Sequence, residues 1–299
     1  MIKLVVVVKA LWLAIGQVFA NEDVTEVDSA GKHGSGLSLL DRRIELERRA
    51  RDNPFVIIPH KPTYVLPVAY NTSPNNEPFE SARDEGFDRT EIKFQLSMKL
   101  PLWRDVFGDN GHFYVAYTQQ SYWQAYDFEG SEPFRETNHE PEAMLTFFTD
   151  YRLLGFRGRL LTLGFVHQSN GQAGELSRSW DRLYVQGVFE RGHLVVSIMP
   201  WWRIPVKDEE DDNPDIEQFL GYGELRAIYQ WKNHGIGMML RNNLRSDNRS
   251  AINLDWSFPL PNEKVRGYVQ YFNGYGESMI DYNSSNNRLS VGFMLIDWL

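Results

Sequence analysis

Residues 91–100, EIKFQLSMKL, alternate without a break. Ile92, Phe94, Leu96, Met98 and Leu100 fall on one side of an extended chain, and Glu91, Lys93, Gln95, Ser97 and Lys99 on the other. Successive side chains of a strand point to opposite faces, so the stretch predicts a strand with one apolar and one polar surface. EKVRGYVQYF repeats the pattern, with Val265, Gly267, Val269 and Tyr271 against Lys264, Arg266, Tyr268 and Gln270. In GHFYVAYTQQSYW, Phe113, Val115, Tyr117 and Trp123 share a row. Twelve strands are expected, at about 62–71, 90–101, 112–125, 142–154, 159–169, 178–189, 193–204, 218–231, 235–245, 250–258, 263–273 and 287–298. An even number of antiparallel strands ending at the C-terminus suits a closed barrel.

Either face of such strands can be the dry one. In a soluble sandwich the apolar rows meet inside; in a membrane barrel they face lipid and the polar rows fill the lumen. Long polar rows of mixed charge sign and Trp and Tyr near strand ends favour lipid. After residue 20 no run of eighteen apolar residues exists, which excludes a helical membrane protein. The expected fold is therefore all-β: a 12-stranded antiparallel transmembrane β-barrel over residues 61–299.

The first twenty residues, MIKLVVVVKALWLAIGQVFA, read as a secretory signal peptide cut before Asn21, the alternative being an uncleaved anchor helix. Residues 21–60 lack the alternation. Leu39, Leu40, Ile44 and Leu46 stand at loosely helical spacing within LSLLDRRIELERRARDNPF, so this periplasmic N-terminal segment is either a short helix or tether, or a solvated tail. Removal of the signal takes Lys3 and Lys9, leaving 29 basic against 40 acidic residues and a net charge of −11. That balance disfavours nucleic acid as a partner, because binding there rests on neutralising phosphates. With no cysteine, disulfides and thiolate metal sites are impossible.

One hairpin carries chemistry on its apolar rows. In GFVHQSNGQAGELSRSWDRLY, residues 164–184, His167 and Ser169 continue the row of Leu161, Leu163 and Phe165, and Ser179 and Asp181 continue that of Leu183 and Val185. A hairpin symmetric about Gly174 puts Ser169 opposite Ser179 and His167 opposite Asp181. Directly opposed Cβ atoms lie about 4.5–5.5 Å apart, within reach of an imidazole–carboxylate hydrogen bond. His167 can then take the proton of Ser169 while Asp181 orients the ring, as nucleophilic serine chemistry requires. Ser and His two apart are often accidental, but unpaired polar groups on a lipid-facing row are costly, which weights the catalytic reading.

HQSNG, SRSWDRLY, PFRETN, DDNPDI and GYGESMIDYN, in that chain from DNPF at 52–55 onward, resemble the outer-membrane phospholipase A family. The resemblance implies a calcium-dependent barrel that hydrolyses acyl esters of phospholipids and lysophospholipids and is activated as a homodimer. By position, Ser169 is the implied nucleophile, His167 the general base, and Asp181 stands where relatives carry Asn. The implied oxyanion donors are the backbone N–H groups of Ser169 and Gly171. Implied calcium ligands are the carbonyl of Gln172, where the family usually has Arg, the hydroxyl of Ser177, and Ser131 of a partner copy. A second calcium site is in doubt, since Gly174 replaces its loop carboxylate, although Glu175 and Asp212 remain. Gln119, a lone amide on the row of Phe113, Val115, Tyr117 and Trp123, is the implied dimer contact. The chain ends IDWL rather than on an aromatic, so barrel assembly would rely on Trp298.

The expected function is a serine acyl hydrolase of the bacterial outer membrane with its site at the outer leaflet. A passive channel lined by the polar rows is the rival from another class, and a soluble secreted esterase a third reading.

Overall fold

In the computed structural model, residues 38–50, 56–79, 86–128, 131–207, 209, 211–261 and 265–297 are described. The expected signal peptide at 1–20 and the Trp298 terminus lie outside them. Thirteen strand segments follow a helix α1 (Leu39–Ala50): β1 (Ile58–Pro59), β2 (Thr63–Asn71), β3 (Thr90–Trp103), β4 (His112–Trp123), β5 (Phe134–Leu153), β6 (Phe156–Ser169), β7 (Ser179–Arg191), β8 (Leu194–Arg203), β9 (Gly223–Trp231), β10 (His234–Asn242), β11 (Ser250–Pro259), β12 (Arg266–Tyr275) and β13 (Ser285–Ile296). A short helix α2 (Ile216–Leu220) precedes β9. Each strand from β2 onward pairs antiparallel with its sequence neighbour, and β13 returns to β2 to close the sheet. Segment β1 joins β3 on the edge that β2 also uses, so the thirteen segments make twelve barrel positions, as the alternation predicts.

Two boundaries differ from expectation. Strand β5 begins at Phe134, not near 142, because Pro141 and the polar run RETNHE conceal its first half. The expected strand at 218–231 divides instead: IEQFL forms α2, Gly221 turns the chain at φ +69°, and β9 starts at Gly223. Glycine tolerates that left-handed geometry without steric cost.

The two faces sort as the sequence dictates. Glu91, Lys93 and Ser97 are buried inside, while Met98 and Leu100 on the alternate row are exposed, as are Leu161, Leu163 and Phe165 on β6. An exposed apolar belt over polar interior rows is the surface lipid requires. No helix among the described residues is long and apolar enough to cross a membrane. Inside, Arg135 bridges Glu91 and Asp281, Arg288 bridges Glu91 and Glu277, and Lys93 meets Glu277 at 2.9 Å. The ring of Tyr122 lies 5.0–5.4 Å from the charged ends of all three cations. Buried charges of this density persist only when each has a partner.

Both mouths of the lumen carry structure. Turns 154–155, 192–193 and 232–233 occupy one end, and the longer loops, with described residues 124–128, 131–133, 170–178, 204–207, 209, 211–222, 243–249 and 276–284, the other. At the loop end, Met279 and Ile280 fold inward, their amides donating to Asn138 and Glu136 at 3.0 Å each. Met279 joins Ile216, Leu220 and Tyr282 against Val166, Trp180, Tyr184 and Trp201, the inward residues of β6, β7 and β8. At the turn end α1 docks: Leu40 packs on Val188 and Val195, Asp41 pairs with Arg159, and Glu47 meets Lys99 at 2.8 Å. A cavity of about 310 Å³ with charged and apolar lining residues remains between. The helical spacing seen in 39–46 thus gives a helix that seats in the barrel mouth.

Candidate active site

Strands β6 and β7 form the hairpin read from the sequence, with the same register: His167 opposite Asp181 and Ser169 opposite Ser179. Their inward neighbours fix which way they point. Gln168 accepts hydrogen bonds inside the barrel from the Trp180 indole at 2.9 Å and the Arg182 guanidinium at 3.0 Å. With Gln168 held inward, the strand period of two turns His167 and Ser169 outward. His167 and Asp181 retain 42% and 32% of their side-chain exposure, which leaves them open to the lipid side.

The loop above the hairpin is built around Asn170, only 3% exposed. Its amide nitrogen donates to the carbonyl of Leu176 at 2.8 Å and to Glu136 at 3.3 Å. Its oxygen accepts from the amides of Arg178 at 3.0 Å and Gln172 at 3.3 Å. Gly171 and Gly174 take φ of +66° and +63°, so the bend at each avoids the Cβ clash another residue would meet. On the returning strand, the amide of Ser179 donates to Asn213, which has no solvent exposure. Behind the hairpin, the cluster of Val166, Trp180, Tyr184 and Trp201 gives it a packed backing.

The electrostatics are asymmetric along the row. His167 Nδ1 and Asp181 Oδ1 are 2.7 Å apart, a short charge-assisted contact. Ser169 Oγ and His167 Nε2 have no side-chain hydrogen bond to each other or to another described residue, although their positions two apart put them on one face. Serine–histidine contacts are often open in the absence of substrate and tighten when it binds.

The residues implied in calcium binding are only partly assembled in one chain. Ser177 Oγ donates to Asp212 Oδ2 at 2.7 Å, and Ser179 Oγ donates to the same oxygen at 3.3 Å. The Ser177 carbonyl is occupied by Arg178 at 2.6 Å, leaving its hydroxyl as the available oxygen. Gln172 is exposed on the same loop, and its amide rather than its carbonyl is engaged. Gly174 and Glu175 open a short 3-10 turn, with the Glu175 carbonyl bonded to Arg178. Ser131 sits exposed at φ +65° on the loop between β4 and β5 and makes no contact with that group among the described residues. A hydroxyl, a carboxylate and a free carbonyl are all oxygen donors, which suits a hard cation such as calcium.

Gln119 differs from expectation. It lies on the outward row of β4, but it is not a lone amide: its nitrogen donates to Ser121 at 3.1 Å, and Tyr117 Oη lies 3.4 Å from its oxygen. The polar cost that argued for a partner copy is therefore met within the chain. Sequence reasoning also missed three residues: Asn170, Asn213 and His139. The first two act through backbone hydrogen bonds that no spacing announces. His139 lies in the hidden half of β5, and counting by twos from the exposed Phe134 would have put it on the inward row; an irregularity in the β4–β5 ladder, where Tyr122 pairs with Glu136 but Trp123 with Phe134, shifts the alternation and sets it on the outward row beside Gln119 and Ser169.

The family model for phospholipase A1 matches residues 40–295. Phospholipase A1 of Escherichia coli strain K12 is 40% identical over 248 residues, covering 82% of this chain and 83% of the relative. A solved Escherichia coli outer-membrane phospholipase A, an active-site mutant with alanine for asparagine, superposes with a TM-score of 0.78 at 38% identity, covering 83% of this chain and 95% of that one. A Salmonella typhi outer-membrane phospholipase, solved as a dimer with bound calcium, gives 0.79 at 37% identity over 84% and 96% of the two chains. Matches of this extent across nearly all of the barrel mean that the chain belongs to the phospholipase A1 family, β-barrel enzymes of the bacterial outer membrane.

Proposed function

We propose that the protein hydrolyses the acyl esters of phospholipids, and of the lysophospholipids they yield, with Ser169 as nucleophile, His167 as general base and Asp181 as its orienting acid. The observation that carries the reading is the 2.7 Å contact between His167 and Asp181 on a lipid-facing row that ends at Ser169. A soluble substrate would call for a cleft. A substrate that is the surrounding bilayer calls for an outward site at the height of its ester bonds.

In this mechanism Ser169 Oγ attacks the ester carbonyl while His167 Nε2 takes its proton. Asp181 accepts from Nδ1–H and so holds the tautomer in which Nε2 is basic. The backbone N–H groups of Ser169 and Gly171 face the oxygen that becomes negative, the loop geometry at Gly171 being set by Asn170. His167 then returns the proton to the departing glyceryl oxygen. The acyl-serine is released by water, activated by the same imidazole, to give a free fatty acid.

Gln172 through its carbonyl, Ser177 through its hydroxyl and Asp212 through its carboxylate are the residues of this chain that would hold calcium. Calcium, when bound, supplies positive charge beside the developing oxyanion. The relative from Salmonella typhi was solved as a calcium-bound dimer. By that likeness, two copies of this chain pair through the outward face of β4, with Gln119 at the contact and Ser131 of one copy completing the calcium site of the other. The pairing would also wall in the acyl chain against Tyr117 and its neighbours.

Fatty-acid release from mixed micelles tests the assignment. Ser169→Ala is expected to lower kcat by about 10⁴-fold or more, the scale seen when a serine nucleophile is removed. Retained hydrolysis in a folded Ser169→Ala barrel would end it.

A further inference from the structure

On the far side of Ser169 from Asp181 stands a second histidine. His139 of β5 is the register partner of Ser169 on β6, so it shares the nucleophile's height on the outer wall. Its ring reaches over the loop: Cδ2 and Nε2 lie 3.6 Å and 3.7 Å from the position a Cβ would occupy at Gly171. The catalytic reading places the developing oxyanion between Ser169 and Gly171, next to this ring.

The ring is held from the other side. His139 Nδ1 is 2.6 Å from Tyr117 Oη, and the two rings lie at 27° with centroids 6.2 Å apart. The hydroxyl has one proton and two acceptors in reach, Nδ1 at 2.6 Å and Gln119 Oε1 at 3.4 Å. When it is donated along the shorter contact, Nδ1 accepts it and the ring proton resides on Nε2, the nitrogen on the Gly171 side. No described residue accepts that Nε2–H. A donor left unpaired on a surface bordering hydrocarbon is costly unless something else takes its bond.

We propose that His139 is a catalytic residue of the same reaction: its Nε2–H is a further donor to the oxyanion, alongside the backbone N–H groups of Ser169 and Gly171, and Tyr117 fixes the tautomer that makes it one. The inference rests on the serine-hydrolase reading above. It assigns to the chain a side-chain contribution to oxyanion stabilisation in addition to the backbone amides. It also gives Tyr117, on the row shared with Gln119, a positioning role at the site rather than a place in the lipid belt alone.

The test is steady-state kinetics with calcium on two substrates, dioleoylphosphatidylcholine in mixed micelles and the neutral p-nitrophenyl ester of a long fatty acid. For His139→Phe, which keeps a ring and loses the donor, kcat is expected to fall about 10²-fold on both substrates with KM nearly unchanged, the scale of losing one oxyanion donor. His139→Gln, whose amide can offer an N–H at similar reach, is expected to recover about half of that loss on a logarithmic scale. Tyr117→Phe is expected to lower kcat several-fold in the parent and to add nothing in His139→Phe, since both changes remove one interaction.

An unchanged kcat in His139→Phe would overturn the proposal. So would a loss confined to the phosphate-bearing substrate or to KM, which would make His139 a headgroup contact, and so would additive losses with Tyr117→Phe. A variant that no longer migrates as a folded barrel is replaced by His139→Gln and His139→Asn. Hydrolysis that survives Ser169→Ala would instead sink the serine-hydrolase reading, so the two failures are told apart.

Discussion

His167 and Asp181 meet across a β ladder, the one arrangement in which two residues fourteen apart are fixed by register alone. The carboxylate is 32% exposed and joined to one nitrogen of the ring, and in the proposed mechanism its work is orientation. Asp181→Ala is expected to lower kcat by about 10²–10⁴-fold, while Asp181→Asn, which installs the residue that the family's relatives carry at this place, is expected to retain more activity than Asp181→Ala. Rates of fatty-acid release decide it, and an Asp181→Ala enzyme as fast as its parent would remove the acid from the mechanism. Asn170 answers a different question. It satisfies three backbone groups of the loop over Gly171, so Asn170→Ala is expected to cost about 1–3 kcal/mol locally and to lower kcat while the barrel's heat stability hardly moves. Equal loss of activity and barrel stability would show that the residue holds the fold rather than the loop.

At the scale of elements, α1 is the part whose attachment depends on pH. Its contacts with the barrel are charged: Asp41 with Arg159, Glu47 with Lys99, and Arg43 on the carbonyl of Pro59 at 2.6 Å. The hydrogen bond from Arg159 holds the Asp41 carboxyl down at about 2. Burial alone would raise Glu47, but Lys99 and Arg43 hold it at about 2 as well. A carboxyl depressed in the docked state adds stability that is full above the ordinary carboxylate value of about 4 and is lost as pH falls through about 2. Because the chain has no cysteine, a spin label on Arg42→Cys reports on α1 alone. Its mobility is expected to rise between pH 4 and pH 2, and a label equally immobile at pH 2 would contradict ionic docking.

The strands were largely legible because a barrel with lipid outside and charge inside enforces period two on every wall. The hairpin at 164–184 was legible to the residue, since symmetry about Gly174 fixed which side chains face each other. What the alternation could not reveal was set by contacts at a distance. Residues 134–141 form a strand because β4 supplies its ladder, despite Pro141 and a polar composition that reads as loop. IEQFL is helical because it packs Ile216 and Leu220 against Trp180 and Trp201, residues far from it in sequence. Gln119 looked unpartnered because spacing places Ser121 on its row without saying that the amide bends toward it. His139 was missed with the strand that carries it.

For the whole molecule, the lumen and the outer wall divide the work. Ion pairs, the inward loop 276–284 and α1 occupy the interior, where a passive channel would need water, and the chemistry faces out. An outward site shares its surface with any second copy, and in the proposed reading this ties activity to association. Calcium is expected to shift the protein in detergent from monomer to dimer, and chelation to reverse both association and hydrolysis; cross-linking read beside activity checks this. Gln119→Leu is expected to weaken the calcium-dependent dimer while leaving each barrel folded. Undiminished cross-linking would take Gln119 out of the interface, which its internal bond to Ser121 would then explain.

The most direct test of the account is fatty-acid release from phospholipid in mixed micelles, measured with calcium and with chelator for the parent and for Ser169→Ala. Release that requires both calcium and the Ser169 hydroxyl is the predicted result. Hydrolysis by the folded alanine variant at the parent's rate would contradict it.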